Sequence, residues 1–269
     1  MHSKQLFNMT VDNDAVLLST FRANCNSRRT SLLRLRAMAT LVLLPGMDGT
    51  GDLFSPFIDA LGDRVKTVVI RYPTDKALSY EALISFVRSA LPPNEPYVLL
   101  GESFSGPIAI SLAAEAPKHL RGIVLCCTFA RSPRPALSPF THLVAALPLN
   151  LAPSSALAWA LLGVFSTPSL RAAITNAVRQ VSSAVLRRRL LAVATVDVTG
   201  LLAQVHVPCL YLQATQDRLI PARAAAEITS ANPRIAVVQI DAPHCMLQAA
   251  PAAAAQVVAP FFGQVVAAL

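Results

Sequence analysis

No CxxC pair and no metal-ligand spacing occurs among the five cysteines, which removes a thioredoxin-type redox site and a structural zinc site. An odd count is also a poor disulfide framework, so a reducing compartment is expected. Charge is scarce, at 14% of 269 residues, and acid scarcer still, because residues 131–196 hold seven arginines and neither aspartate nor glutamate. Trp occurs once and Tyr four times, without interleaving with arginine, so the formal net charge of +8 does not indicate nucleic acid. That charge is also unevenly placed. Residues 1–37 carry +4 and residues 131–196 carry +7, against −2 over 38–130 and −1 over 197–269. The basic charge thus belongs to two appendages of a nearly neutral core.

Unbroken apolar runs are missing too, although a mean hydropathy of +0.50 raises the question of a membrane span. Residues 135–170 lack charge but are cut by Pro135, Pro139, Pro148, Pro153 and Pro168, and the uncharged stretch from Ala242 onward is cut by Pro251 and Pro260. A spanning helix is not expected. With 54% hydrophobic residues and only ten glycines, neither global disorder nor a collagen-like fibre is tenable. No continuous apolar segment of an export signal opens the chain, and its Arg- and Ser-rich start resembles a transit peptide only weakly, given Asp12 and Asp14. Residues 1–37 are expected to be a basic extension with little order, with a hairpin around Asp12–Asp14 as an alternative, Met38 as a second candidate start, and a cytoplasmic location overall.

From Thr40 onward short buried runs alternate with amphipathic stretches, which predicts a parallel sheet covered on both faces. Strands are expected at 40–44, 66–71, 96–100, 122–127, 208–213 and 235–240, with helices near 53–62, 79–90 and 105–116. About 80 residues separate the fourth strand from the fifth, far more than one crossover requires, so something is inserted there. Within it, 154–166 and 169–192 are expected to be helices. The core is therefore assigned to 38–130 and 201–269, and the insertion to 131–200.

The strand at 96–100 runs into Gly101-Glu102-Ser103-Phe104-Ser105-Gly106 and then into a helix. Ser103 therefore sits on a sharp turn at the carboxyl edge of the sheet, where open α/β sheets carry their chemistry, and at a helix N-terminus that favours a developing anion. Small residues are needed on either side of such a turn, and Gly101 and Ser105 are small. Asp217 follows the expected fifth strand and His244 the sixth. Asp197 and Asp241 are rival acids, Asp241 being expected to end its strand. His2, His119, His142 and His206 are expected to be structural.

This turn resembles the G-x-S-x-G nucleophile elbow of the α/β-hydrolase family, with Ser105 in place of the second glycine, a change expected to loosen the local packing slightly. The resemblance implies the α/β-hydrolase fold: a mostly parallel central sheet, helices on both faces and a helical cap at the insertion. It also implies Ser103 as nucleophile, His244 as general base and Asp217 as its orienting acid, in the family's chain order. Phe104 N–H, and Met47 N–H in the early loop Leu43–Gly51, would form the oxyanion hole, with Pro45 standing where the family often has histidine. That early loop has neither the G-x-G-x-x-G nor the Lys-Ser/Thr ending of a nucleotide site. Neither a metal nor a cofactor is implied.

The cap decides the substrate. A helix apolar nearly all round, holding Trp159, Leu162 and Phe165, points to a hydrophobic acyl ester or thioester as the small-molecule partner, cleaved through an acyl-enzyme. The same constellation serves an acyltransferase, and a non-catalytic receptor for a hydrophobic ligand is the alternative from outside enzymology. The acid-free arginine set, Arg187, Arg188 and Arg189 above all, suggests docking of an acidic acyl-carrier protein. Contact with a membrane surface would rest on the basic N-terminal segment and the apolar cap.

Overall fold

The computed structural model describes residues 39–135 and 154–268. Six strands form one sheet in the order β2-β1-β3-β4-β5-β6, every pairing parallel: β1 (Thr40–Leu44), β2 (Lys66–Val69), β3 (Tyr97–Glu102), β4 (Leu120–Cys126), β5 (Cys209–Ala214) and β6 (Ala236–Ile240). The expected strands are therefore all present, within a few residues at their ends. In the middle of the sheet successive residues serve opposite faces. Val42, Leu44, Leu99, Ile123 and Leu125 enter one core. Leu41, Leu43, Val98, Leu100 and Val124 enter the other.

The helices follow from that division. The first face is covered by α2 (Tyr80–Ala90), α3 (Gly106–Ala114) and α7 (Arg223–Ala231), and the second by α1 (Ser55–Leu61) and α8 (Pro251–Ala267). In α2, Ser79 caps the first turn by accepting from Ala82 N–H, while Tyr80, Leu83 and Val87 form the buried stripe. α3 is buried almost all round, which explains its uniformly apolar composition. β2 lies at the sheet edge, where its exposure alternates along Lys66–Val69.

Between β4 and β5 the described part of the insertion contains α4 (Ser154–Leu162), α5 (Pro168–Arg179) and α6 (Ser183–Thr195). The single helix expected over 169–192 is thus two. The break falls at Gln180–Ser182, where Ser182 leaves helical geometry and its hydroxyl accepts from Val185 N–H, starting α6 afresh. The N-terminal hairpin alternative, His2 and His142 lie outside the described residues. Among the described residues no helix is long and apolar enough to cross a membrane.

Sheet register positions the site. Leu44 pairs with Gly101, so the loop after β1 leaves the sheet beside the turn after β3. Ala214 pairs with Ile240, so the segments leading to Asp217 and His244 leave side by side.

Leu99 is fully buried in the middle of the sheet, whereas Val68 is 39% exposed on the edge strand. Leu99→Ala is expected to lower the unfolding free energy by about 2–5 kcal/mol, and Val68→Ala by under about 1 kcal/mol, both measured by urea unfolding. Equal losses at the two positions would contradict this layering.

Candidate active site

Ser103 has a positive φ of 48°, the left-handed conformation that an L-residue adopts only when its surroundings hold it there. The holding groups are identifiable. Thr128 Oγ1 donates to Ser103 C=O, Tyr80 Oη donates to Phe104 C=O at 3.0 Å, and Tyr211 Oη fixes Thr128 C=O at 2.7 Å. Glycine at 101 is required because a Cβ there would lie 2.8 Å from Ser105 C=O and 3.0 Å from Ala109 Cβ. At 106 a Cβ would collide with Thr128. Contrary to the expectation from sequence, serine at 105 does not loosen the packing: its buried hydroxyl lies 2.7 Å from Tyr72 Oη and donates to Pro45 C=O, tying the elbow to the loop after β1.

Ser103 Oγ stands 2.8 Å from His244 Nε2, and His244 Nδ1 stands 2.8 Å from Asp217 Oδ2. An ionised carboxylate only accepts, so it fixes the ring proton on Nδ1 and leaves Nε2 to accept from the serine. The second Asp217 oxygen accepts from Leu219 N–H and Ile220 N–H, each at 2.8 Å, which fixes the carboxylate in place. The rival acids are engaged elsewhere. Asp197 caps Thr199, and Asp241 accepts from Thr215 and Gln216.

Met47 N–H donates to no acceptor among the described residues, and Met47 lines both cavities that reach Ser103. Phe104 N–H belongs to the 3-10 turn Ser103–Ser105 that opens α3, where first-turn N–H groups lack helical partners. Two such donors beside a nucleophile can stabilise an oxyanion. Among the described residues there is no group of three His, Cys, Asp or Glu side chains that could hold a metal.

Two cavities meet at Ser103 and His244. One, of about 350 Å³, is walled by Leu53, Leu157, Leu161, Ile174, Leu186 and Leu190. The other, of about 250 Å³, is walled by Phe129, Pro133, Val193, Leu219 and Ile220. The substrate contacts expected from sequence fall on the wrong faces of their helix. Trp159 is 63% exposed, with the Arg218 guanidinium 4.5 Å above its ring. Leu162 packs on Ala158 and Ile174 of the insertion and on Cys245, and Phe165 lines neither cavity. It is the Leu157/Leu161 face, one turn apart, that meets the site, and the reason is tertiary: Cys245 N–H, just after His244, donates to Leu161 C=O at 3.1 Å and fixes the helix rotation.

Two charged residues were not placed at the site by sequence reasoning. Glu102, 7% exposed, has its carboxyl pushed up to about 7 by burial, with Asp48 adding to the rise, while the Gln248 amide and Gly46 N–H oppose it. Arg189, expected on a surface for an acidic partner, is instead buried against the loop after β1; Arg187 and Arg188 are exposed. The signal existed in helical period, since Arg189 falls on the stripe of Val185, Leu186 and Val193.

The chain matches the family described as Serine aminopeptidase, S33, over residues 78–246. It is 33% identical over 114 residues to the chloroplastic phytyl ester synthase 1 of Arabidopsis thaliana, a match covering 39% of this chain and 16% of that protein. Among solved structures it resembles a carboxylesterase of the thaumarchaeon Nitrososphaera gargenis, with 14% identity and a TM-score of 0.73 over 86% of this chain and 92% of that one. A hydrolase of Pseudomonas aeruginosa PA01 gives 18% identity and a TM-score of 0.72 over 84% and 91%.

Glu102 gives a pH signature to stability. The unfolded chain releases this proton near the ordinary 4.5 and the native state holds it to about 7, so the contribution of Glu102 to stability falls as pH rises through that window and is constant above it. Glu102→Gln, which mimics the protonated acid, is therefore expected to be stabilised relative to wild type by on the order of 3 kcal/mol at pH 8 and by little at pH 4. Melting curves at the two pH values check this, and an equal shift at both would refute it.

Proposed function

We propose that this chain, which belongs to the serine aminopeptidase S33 family of the α/β-hydrolases, cleaves a carboxylic ester or thioester of a hydrophobic acyl group through an acyl-enzyme on Ser103. The observation that carries this reading is the continuous Ser103–His244–Asp217 hydrogen-bonded line, at 2.8 Å in both links, opening onto an apolar cavity. His244 Nε2 takes the Ser103 proton as Oγ adds to the carbonyl carbon, and Asp217 stabilises the imidazolium that forms. The carbonyl oxygen becomes an oxyanion facing Met47 N–H and Phe104 N–H. Collapse expels the alkoxide or thiolate, which leaves with the proton from His244. Water, deprotonated by His244, then adds to the acyl carbon, and the carboxylic acid departs as Oγ regains its proton.

The acyl group is assigned to the larger cavity, because most of its surface is apolar and Ser103 itself lines it. The insertion supplies Leu157, Leu161, Ile174, Leu186 and Leu190 to that cavity, and in this reading it acts as the cap. An acidic carrier bringing a thioester would meet the exposed Arg187 and Arg188, not Arg189.

A second reading, transfer of the acyl group to a hydrophobic alcohol, is favoured by the second apolar cavity, of about 250 Å³, that also reaches Ser103 and His244. The name of the Arabidopsis relative, a phytyl ester synthase, supports the same class of reaction. In that case an alcohol takes the place of water in the second half of the cycle, and product partition with and without added long-chain alcohol separates the two.

Ser103→Ala is expected to abolish turnover of p-nitrophenyl octanoate and the acyl adduct seen by intact mass in the quenched wild type. Persistence of either would reject Ser103 as nucleophile. Leu161→Trp fills the larger cavity and is expected to lower kcat/KM for octanoate at least about tenfold while sparing acetate; a uniform loss across chain lengths would reassign the acyl group.

A further inference from the structure

Arg189 is 2% exposed and forms no ion pair among the described residues. Its guanidinium is committed to backbone carbonyls. One terminal nitrogen donates to Met47 C=O and Asp48 C=O, both at 2.8 Å, and the other to Pro73 C=O at 2.9 Å. The rings of Tyr72 and Phe104 lie 5.6 and 6.0 Å from its central carbon. Taking a guanidinium out of water is costly, and a Leu or Met would fill the same space without that cost, so packing alone does not account for arginine here.

What its donors hold is the loop that carries Met47 N–H. Gly49, at φ +70°, leaves room for the guanidinium, since a Cβ there would lie 2.5 Å from the nearer terminal nitrogen. The rest of the loop is pinned from other sides. Gly49 N–H donates to Gly46 C=O at 3.1 Å, Tyr72 N–H to Gly49 C=O at 2.8 Å, and Ser105 Oγ to Pro45 C=O. The Met47 and Asp48 carbonyls have Arg189 as their anchor. The same helix, α6, contributes Leu186 and Leu190 to the wall of the larger cavity.

We infer that Arg189 is a positioning residue for the oxyanion hole: by fixing the Met47 and Asp48 carbonyls it holds the two peptides that follow Met47 N–H, and with them the turn that carries this donor, so that the hole is complete only when α6 is seated. This rests on the acyl-enzyme reading given above. It differs from a structural role in one measurable respect. Loss of the hole slows an ester more than the matching thionoester, because sulfur is a weak hydrogen-bond acceptor and gains little from the donors.

The test uses the full chain and p-nitrophenyl octanoate with its thionoester counterpart, measured on wild type, Arg189→Met and Arg189→Lys. Arg189→Met is expected to lower kcat for the ester by about 10- to 100-fold, with KM within about threefold, and to shrink the ester-to-thionoester ratio by a similar factor. Arg189→Lys, which keeps the charge and some of the donors, is expected to recover part of both. An unchanged ratio in Arg189→Met, whatever happens to kcat and KM, overturns the inference. Should that variant not melt cooperatively, an unchanged ratio and kcat in Arg189→Lys does so instead. Turnover in wild type that survives Ser103→Ala would bring down the underlying acyl-enzyme reading, a result separable from either.

Discussion

The backbone at Ser103 is the constraint around which the carboxyl edge of the sheet is organised. A φ of 48° on a residue with a Cβ costs on the order of 1–2 kcal/mol, and the structure offsets it locally. Thr128, Tyr80 and Ser105 each place a hydroxyl on a carbonyl of the elbow or of the loop beside it, and Gly101 and Gly106 remove the side chains that would keep strand and helix apart. The strain has a geometric use. It turns the serine hydroxyl out of the β3-to-α3 path and toward His244, while the turn presents the adjacent N–H groups to the same space.

Register then does what sequence distance cannot. Met47, Ser103, Asp217 and His244 come from four separate loops, yet parallel pairing of β1 with β3 and of β5 with β6 brings those loops out at one edge. Several of the residues that hold them are buried polar groups with more than one partner, as in Asp217, whose carboxylate serves both the histidine and two backbone N–H groups. Such networks favour a single arrangement, because any rotamer change leaves a buried group unpaired.

The insertion is bound to this edge rather than resting on it. Cys245 N–H reaches Leu161, Ser182 N–H reaches Thr74 C=O, Gln180 reaches Asp52 and Arg218 reaches Trp159 C=O. Together with Arg189 these ties link the walls of the apolar cavities to the loops around Ser103, so movement of the helices and assembly of the site are parts of one structural problem.

Strand positions, the parallel α/β class and the places of Ser103, Asp217 and His244 just past strand ends were all legible beforehand, because they rest on local signals: short buried apolar runs, small residues around Ser103, and polar residues where those runs stop. The faces of the inserted helices were not. α4 is apolar nearly all round, so its own residues could not say whether Trp159 or Leu161 turns inward, and a bond from Cys245, 84 residues away, made the choice. For Arg189, charge suggested solvent and helical period suggested the interior, and three carbonyls from two distant loops decided for the interior. Sequence alone determined what depends on neighbours along the chain. The contacts that rotate a helix or bury a charge depend on neighbours in space, and those only the tertiary structure could supply.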